Sequence, residues 1–319
     1  MKQILLTGGL GYVGGRIAHA LAQETGCVLR LAVRDPGTSK PSWLKEGSLV
    51  RLDLSSEEQL REACHNVETV IHLAAVNEIQ SSKTPDSALL LNGLGTLKLI
   101  QAAEHAGVKR FFYFSTAHVY GSPLVGKITE TTLPRPVHPY AITHRTAEDF
   151  VLAAHDAHKF FGIVLRLSNA VGAPIRADVN RWTLLVNDMS RQAVSARKLI
   201  LQSAGLQMRD FIPLSDVTGV VLHFLRLEPT QYGDGLFNVG SGKAMTVIEM
   251  ATLVASRCEK LLGFTPDIVR PPPPHDAVVA GLDYRIEKLK ATGFVPRHDL
   301  IAEIDGTLLF CREAFGERK

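Results

Sequence analysis

The sequence predicts an α/β fold, a doubly wound parallel sheet with a smaller C-terminal α/β lobe. Short β-branched or aliphatic runs alternate with longer amphipathic segments through the first two-thirds of the chain, the pattern of βαβ units. The first run, Gln3–Thr7, ends in clustered glycines that open a helix. After Arg166 the rhythm breaks, with glycine and proline at Gly172 and Pro174, Pro213, Pro229, Gly233 and Gly235, and the run Pro271–Pro274.

Taken in order, the apolar runs predict strands near Gln3–Thr7, Val28–Val33, Leu49–Leu52, Thr69–Leu73, Arg110–Ser115 and Gly162–Arg166. Helical periodicity predicts helices between them near Tyr12–Glu24, Glu57–His65, Ser87–Ala106 and Pro139–Phe160. Right-handed crossovers of this kind put helices on both faces of the sheet. Residues 1–166 read as the first domain, with segments around 210–240, such as Leu236–Val239, returning to its sheet. Residues 167–209 and 241–319 read as the second lobe, and the proline run as a stiff surface connection.

Composition excludes several classes. The chain is 45% hydrophobic and 21% charged, with net charge +3 from 35 basic and 32 acidic residues, which is ordinary globular balance. It has no basic run long enough for a nucleic-acid or membrane patch, so neither partner is expected. Cys27, Cys64, Cys258 and Cys311 lack metal-ligand or disulfide-framework spacing and read as free thiols, with no metal site. The N-terminus lacks signal-peptide anatomy, and no stretch of about 18 apolar residues is present. These features predict a cytoplasmic protein.

Residues Ile4 to Gly14 run strand, tight turn, helix. Gly9-x-Gly11-x-x-Gly14 satisfies the dinucleotide fingerprint, and Gly8, Gly11 and Gly14 satisfy its three-residue variant. Glycine lets the backbone approach a pyrophosphate, and the helix N-terminus at Tyr12, Val13 and Gly14 supplies N–H groups for the anion. A Rossmann-type domain binding NADP or NAD follows. Arg34, after the second strand, lies where a 2′-phosphate would be met and favours NADP, while Asp35 could catch a ribose hydroxyl. Asp53 and Leu54 are expected near the adenine. His72, Leu73, Ala74 and Ala75 are expected on the cofactor's floor.

A second cluster is Phe114-Ser-Thr-Ala-His-Val-Tyr-Gly121, followed 24 residues beyond Thr116 by Tyr140 at the start of a helix. Hydride chemistry at a carbinol carbon needs a base for the hydroxyl proton and a hydroxyl that orients the oxygen. Tyrosine serves as base when a cation lowers its pKa from near 10, and a residue four positions along the helix is placed to do so.

With these segments in view, the chain resembles an extended short-chain dehydrogenase/reductase of the NAD-dependent epimerase/dehydratase family, which acts mainly on nucleotide-sugars. Thr7–Gly14 resembles TGxxGxxG, Ile71–Ala75 the hydrophobic-HLAA strand end, and Asn92–Thr96 the Asn-x-x-Gly-Thr helix. Ser115–Gly121 resembles the SS/T-x-x-VYG strand. Leu165–Asn169, Arg209–Ile212 and Phe237–Gly242 resemble LRxxN, RDFI and FNVGSG. The resemblance implies Thr116 as hydroxyl partner, Tyr140 as acid/base, Asn92 beside the cofactor, and substrate contacts at Thr116, His118, Asn169 and Arg209.

The family motif is YxxxK, and here the fourth position is His144. The lysine bonds the nicotinamide ribose and lowers the tyrosine pKa by its charge. Histidine, with a pKa near 6.5, implies a weaker or pH-gated catalyst, aided by Arg145. Ala117 and His118 stand where dehydratases carry an acidic pair, which disfavours dehydration, and no cysteine supplies the second base of a 3,5-epimerase. A nucleotide-sugar 4-epimerase or 4-keto-sugar reductase remains. The alternatives are a catalytically impaired dinucleotide-binding protein and an NADP-dependent reductase of a non-nucleotide ketone. Arg209 reads either as a diphosphate partner or as an arginine bonded to Asp210 or backbone. Arg181-Trp182 and the Arg191–Lys198 segment read either as a border of the substrate lobe or, for most of their charge, as solvated helix surface. The apolar faces of helices Ser87–Ala106 and Pro139–Phe160 predict a homodimer.

Overall fold

The computed structural model describes residues 2–316; Met1 and residues 317–319, the outer ends of the two expected lobes, lie outside them. The chain runs β1 (Lys2–Thr7), α1 (Tyr12–Leu21), β2 (Cys27–Val33), β3 (Ser48–Arg51), α2 (Glu57–Cys64), β4 (Thr69–His72), α3 (Glu78–Lys83) and α4 (Pro85–Ala88). A π-helical turn, Leu89–Leu94, leads into α5 (Gly95–His105) and β5 (Arg110–Thr116). A 3-10 turn (Ala117–Tyr120), β6 (Gly126–Ile128), α6 (Pro139–Asp156) and β7 (Phe161–Leu167) follow. Then come β8 (Asn169–Val171), α7 (Leu185–Ala196), β9 (Lys198–Ile200), β10 (Met208–Pro213), α8 (Leu214–Arg226) and β11 (Leu236–Val239). The chain closes with β12 (Ala244–Thr246), α9 (Val247–Leu262), β13 (Asp267–Val269), β14 (Leu282–Tyr284), α10 (Glu287–Ala291) and α11 (Leu300–Phe315).

Seven parallel strands form the central sheet in the order β3-β2-β1-β4-β5-β7-β11. The two-residue period of a strand sorts its side chains onto two faces. Ile4, Leu6, Phe112, Ile163 and Leu165 pack with Ile17 and Leu21 of α1 and with Val220 and Phe224 of α8. Leu5, Val70, Phe111, Tyr113 and Val164 pack on the other face with α2, α5 and α6 through Leu60, Leu99 and Val151. Near-continuous apolar strands are what helices on both faces require, and the architecture is the doubly wound Rossmann-like α/β fold. β11 adds to the sheet beside β7, and α8 seals the α1 face.

A third core lies outside the sheet, where Val186, Met189, Met250, Val254, Ile304 and Leu308 join α7, α9 and α11 around Phe211 of β10. β10 pairs with β8 in parallel and with β12 antiparallel. Arg16 of α1 holds this core to the sheet, its guanidinium lying 2.7 and 3.0 Å from the Glu303 carboxylate oxygens.

The helices differ from the sequence expectation in four places. Ser87–Ala106 is divided into α4, the widened turn at Leu89–Leu94, and α5. Tyr12–Glu24 stops at Leu21, and Pro139–Phe160 stops at Asp156, where the chain reverses through His158 at φ +56°. α3 was not expected; its few polar residues carry little helical periodicity, and Asn77 starts it by accepting the Gln80 amide proton. Among the described residues no helix is long and apolar enough to cross a membrane.

Candidate active site

From β1 the chain turns to β2 and β3 on one side, and from β4 it builds out on the other, so the strand order reverses between β1 and β4. A crevice opens outside the carboxyl ends at such a point. The glycine turn and Leu73–Ala75 meet there. Gly8 sits at φ +70°, and a Cβ on it would come within 2.9 Å of the Leu73 carbonyl carbon and 3.0 Å of the Ala74 nitrogen. A Cβ on Gly14 would lie 2.2 Å from the Gly8 oxygen, and on Gly11 3.2 Å from it. Gly11 is the N-cap of α1, without a capping side chain and without an acidic residue in the first turn. Its first-turn amides and positive dipole end are free to meet an anion. A cradle that Cβ atoms would fill, with unclaimed amides, fits a dinucleotide pyrophosphate.

The side chains beside these amides have other work. Tyr12 is buried, and its hydroxyl donates to the Gly172 carbonyl at 2.9 Å, fastening α1 to the segment after β8. Val13 packs against the sheet core. At the outer rim Arg34 is exposed, whereas the Asp35 carboxylate accepts the Gly37 amide proton and caps its own turn. Asp53 accepts from the amide and hydroxyl of Ser55, which hold its carboxyl below the usual range. Leu54 is buried against Gly95.

A buried thread of hydrogen bonds joins the glycine strand to the second cluster. Thr7 Oγ1 accepts from the amides of Leu73 and Ala74 and lies 2.6 Å from His72 Nδ1; His72 Nε2 lies 2.9 Å from Thr96 Oγ1. Thr96 donates to the Asn92 carbonyl, so Nε2 carries the imidazole proton and Nδ1 accepts from Thr7. Burial pushes the His72 pKa down to about 3, which keeps this neutral form. Asn92 Oδ1 accepts from the Val76 amide and Nδ2 donates to Thr143, whose hydroxyl donates to the Tyr140 carbonyl. His72 is fully buried, and Asn92, 1% exposed, spends its amide on Val76 and Thr143. Both are drawn inward because a buried amide or imidazole must be satisfied.

Thr116 ends β5 and is buried, its hydroxyl accepting the His118 amide proton at 3.2 Å. Tyr140 begins α6 under the N-cap His138, whose Nδ1 accepts its amide proton. One turn on, His144 stands edge-to-face against the Tyr140 ring, with centroids 4.4 Å apart. His144 Nδ1 lies 2.7 Å from the Tyr113 hydroxyl, and Nε2 is buried without a partner. Burial holds the Tyr113 phenol protonated, so it donates to Nδ1 and the proton sits on Nε2; the other tautomer would strand both a phenol proton and a lone pair.

Charge at this site differs from the expectation. Burial pulls the His144 pKa down to about 4, so the imidazole is neutral through the whole range where gating was expected. Arg145 does not assist: its guanidinium lies 2.5 Å from Asp149 and 3.3 Å from Glu148. Burial, with Glu78 adding and Arg181 opposing, raises the Tyr140 phenol to about 12. Tyr113 could have been found from the strand period, which puts it on the face that α6 covers; Glu78 and the pairing of Arg181 had no sequence signal.

His118 lies on the 3-10 turn after β5, its side chain reaching solvent while its ring is partly enclosed, and that enclosure and then the Arg209 charge lower its pKa. Asn169 Nδ2 donates to the Asp210 carbonyl at 2.9 Å, joining β8 to β10. Asp210 does not pair with Arg209: its carboxylate accepts from Ser168 and from the amide and hydroxyl of Ser241. Among the described residues Arg209 makes no ion pair, and burial alone lowers its pKa.

Comparisons with known proteins agree with this fold. UDP-glucose 4-epimerase of Azospirillum brasilense is 28% identical over 314 residues, covering 93% of this chain and 88% of that protein. The structure of UDP-glucose 4-epimerase from Thermotoga maritima with UDP-glucose superposes with a TM-score of 0.81 at 23% identity, covering 98% of this chain and 99% of that one. MoeE5 in complex with UDP-glucose and NAD gives 0.77 at 26% identity, covering 98% and 100%. The family model matches residues 4–240, a stretch that includes the glycine cradle after β1. The chain belongs to the NAD dependent epimerase/dehydratase family.

Proposed function

We propose that the protein is an NAD(P)-dependent nucleotide-sugar enzyme, a 4-epimerase or 4-keto-sugar reductase, with Tyr140 as acid/base and Thr116 as hydroxyl partner. The observation that carries this reading is the buried thread from Thr7 to the Tyr140 carbonyl, which couples the glycine cradle to the catalytic helix. Gly8, Gly11 and Gly14, with the amides of Tyr12, Val13 and Gly14, would hold the pyrophosphate. Leu73, Ala74 and Ala75 would line the floor, and His144 stands at the usual lysine position. Exposed Arg34, beside a carboxylate already engaged in its own turn, supports NADP.

The bound coenzyme supplies hydride exchange with the carbinol carbon. Tyr140 holds its proton at neutral pH and gives it to a ketone oxygen as that carbon is reduced, while the Thr116 hydroxyl orients the oxygen. Retention of the proton favours the reductive half of the chemistry. Arg209, free of Asp210, supports contact with a diphosphate, with His118 and Asn169 beside it.

We also propose a cytoplasmic homodimer and the division into lobes at 166 with return around 210–240. Leu90, Leu94, Ile142 and Phe150 are exposed apolar residues on the two helical segments expected to pair, which supports the dimer. Sedimentation that shows only monomer removes it.

The test of function is turnover of UDP-glucose, or of its 4-keto form, with NADP(H). Tyr140→Phe is expected to slow it by about 10²–10⁴-fold. A second reading, a dinucleotide-binding protein without turnover, is favoured by the uncharged His144. Coenzyme binding with no turnover between pH 5 and 9, unaltered in Tyr140→Phe, would select that reading.

A further inference from the structure

The backbone of Tyr140 is held from two sides. Its carbonyl accepts the Thr143 hydroxyl proton at 3.0 Å, and its amide donates to His138 Nδ1 at 3.1 Å. His138 is the N-cap of α6, extended at φ −128° and ψ 139°, with Pro139 at the first helical position. Ser, Thr, Asn and Asp are the preferred residues at such a cap, and their oxygens accept at any pH near neutrality. An imidazole nitrogen accepts only while the ring is neutral. Because Nδ1 accepts, the proton of the neutral ring sits on Nε2, which donates to Ser82 Oγ of α3 at 2.6 Å. His138 thus joins α3 to the first turn of the catalytic helix, and it is partly exposed, within reach of protons from bulk water.

We propose that His138 is a positioning residue for Tyr140, a neutral-ring cap that holds the phenol in place and releases it when the ring takes up a proton. The inference rests on Tyr140 being the acid/base. A protonated ring turns an N–H toward the Tyr140 amide, so two donors face each other and the bond is lost. Its positive charge also lies at the positive end of an 18-residue helix, where cations are disfavoured. Both effects act in one direction: the cap is present with the neutral ring and absent with the charged one. The pH response expected of His144, whose ring is buried and neutral, falls instead on His138.

The elements packed against α6 around this end are α3, α4, the π-helical turn and the 3-10 turn after β5. α3 carries Glu78 and Lys83, α4 carries Asp86, the 3-10 turn carries His118, and the segment before α6 carries Arg135; the π-helical turn has no charged residue. None of these pairs with His138 among the described residues, and Glu78 is bonded to Arg181. Along α6, His144 is neutral and Arg145 is turned to Glu148 and Asp149. The ring's two partners are Ser82 and the Tyr140 amide. With the second lost, Tyr140 keeps its carbonyl bond to Thr143 alone, the first turn frays, and the phenol ring shifts against His144.

The test needs no substrate, so a failure of Tyr140 as acid/base, read by turnover of Tyr140→Phe, leaves it untouched. Amide exchange in the full chain is followed by NMR in the wild type, His138→Asn and His138→Ala from pH 7.5 to 5.5, where imidazoles take up their proton. Rates are expressed against an unstructured peptide at the same pH. Protection of the Tyr140 amide in the wild type is expected to fall about five- to tenfold as the His138 ring titrates. His138→Asn, whose acceptor does not ionise, should stay protected throughout, and His138→Ala should be unprotected throughout. His72 and His144 are present in all three proteins, so acid sensitivity of the core is common to them. The phenol is read separately by fluorine NMR of protein labelled with 3-fluorotyrosine, the Tyr140 resonance being assigned by its loss in Tyr140→Phe. It should move with the His138 titration in the wild type and stay still in His138→Asn. The same pH dependence in wild type and His138→Asn, for the amide or for the fluorine, refutes the proposal, as does wild-type protection in His138→Ala. If His138→Ala fails to fold, the wild type against His138→Asn decides.

Discussion

Replacing His144 with lysine puts an ammonium where the structure holds a neutral ring 4.4 Å from the Tyr140 ring. At about 5 Å and an effective dielectric of about 20, ammonium and phenolate attract by about 3 kcal/mol, equivalent to about two pKa units. The phenol, at about 12 in the structure, would then ionise near 10. At pH 8 its phenolate fraction rises by about two orders of magnitude. Burying the lysine beside Tyr113 and losing the imidazole hydrogen bond return part of this, which leaves about tenfold as the expected gain in oxidation rate. The assay is the initial rate of NADPH formation from a nucleotide-sugar alcohol, followed from pH 6 to 10 in both proteins. A folded His144→Lys variant no faster at pH 8, with its profile unshifted, refutes the electrostatic reasoning. The wild-type profile should also show no limb from His144 between pH 5 and 8, because that imidazole titrates at about 4.

The two buried neutral histidines make the fold acid-sensitive. His72 and His144 have folded pKa values of about 3 and about 4, below the unfolded 6.5, so their stability contribution is full above pH 6.5 and is lost as pH falls toward 4. At pH 4.5 the two together cost about 5 kcal/mol, and thermal unfolding scans from pH 7 to 4.5 should show a steep fall in Tm; a flat Tm contradicts their burial as neutral rings. Arg34→Ser should weaken NADPH binding about tenfold and leave NADH nearly unaltered, measured by calorimetric titration. Equal losses for both coenzymes would remove Arg34 from the 2′-phosphate.

The sheet was legible because its signals are local. Ile4 and Leu6 against Leu5 alternate between two helical layers, and glycines at 8, 11 and 14 stand where any Cβ would strike backbone. Strand period and glycine spacing are short-range properties, and a parallel sheet follows from them. The site's electrostatics were less legible because they depend on partners far away in sequence. His144 is neutral through burial against Tyr113, 31 positions earlier. Asn92 is claimed by Thr143, 51 positions later, and its motif carries no trace of that bond. Arg209 and Asp210 are adjacent, yet Ser241 takes the carboxylate and leaves the guanidinium free. α3 escaped notice for a related reason: six residues with a polar face form a helix through the Asn77 cap and the Ser82–His138 bond, not through periodicity.

Gly14→Ala addresses the coenzyme cradle with one methyl group. That methyl would lie 2.2 Å from the Gly8 oxygen, so the turn must open and its amides lose their alignment. Titration of NADPH fluorescence with wild type and Gly14→Ala, both shown folded by thermal unfolding, measures the consequence directly. The account predicts saturable binding to the wild type and at least about a hundredfold loss, roughly 2.7 kcal/mol, in the variant. Equal binding by both proteins, or none by the wild type, would contradict it.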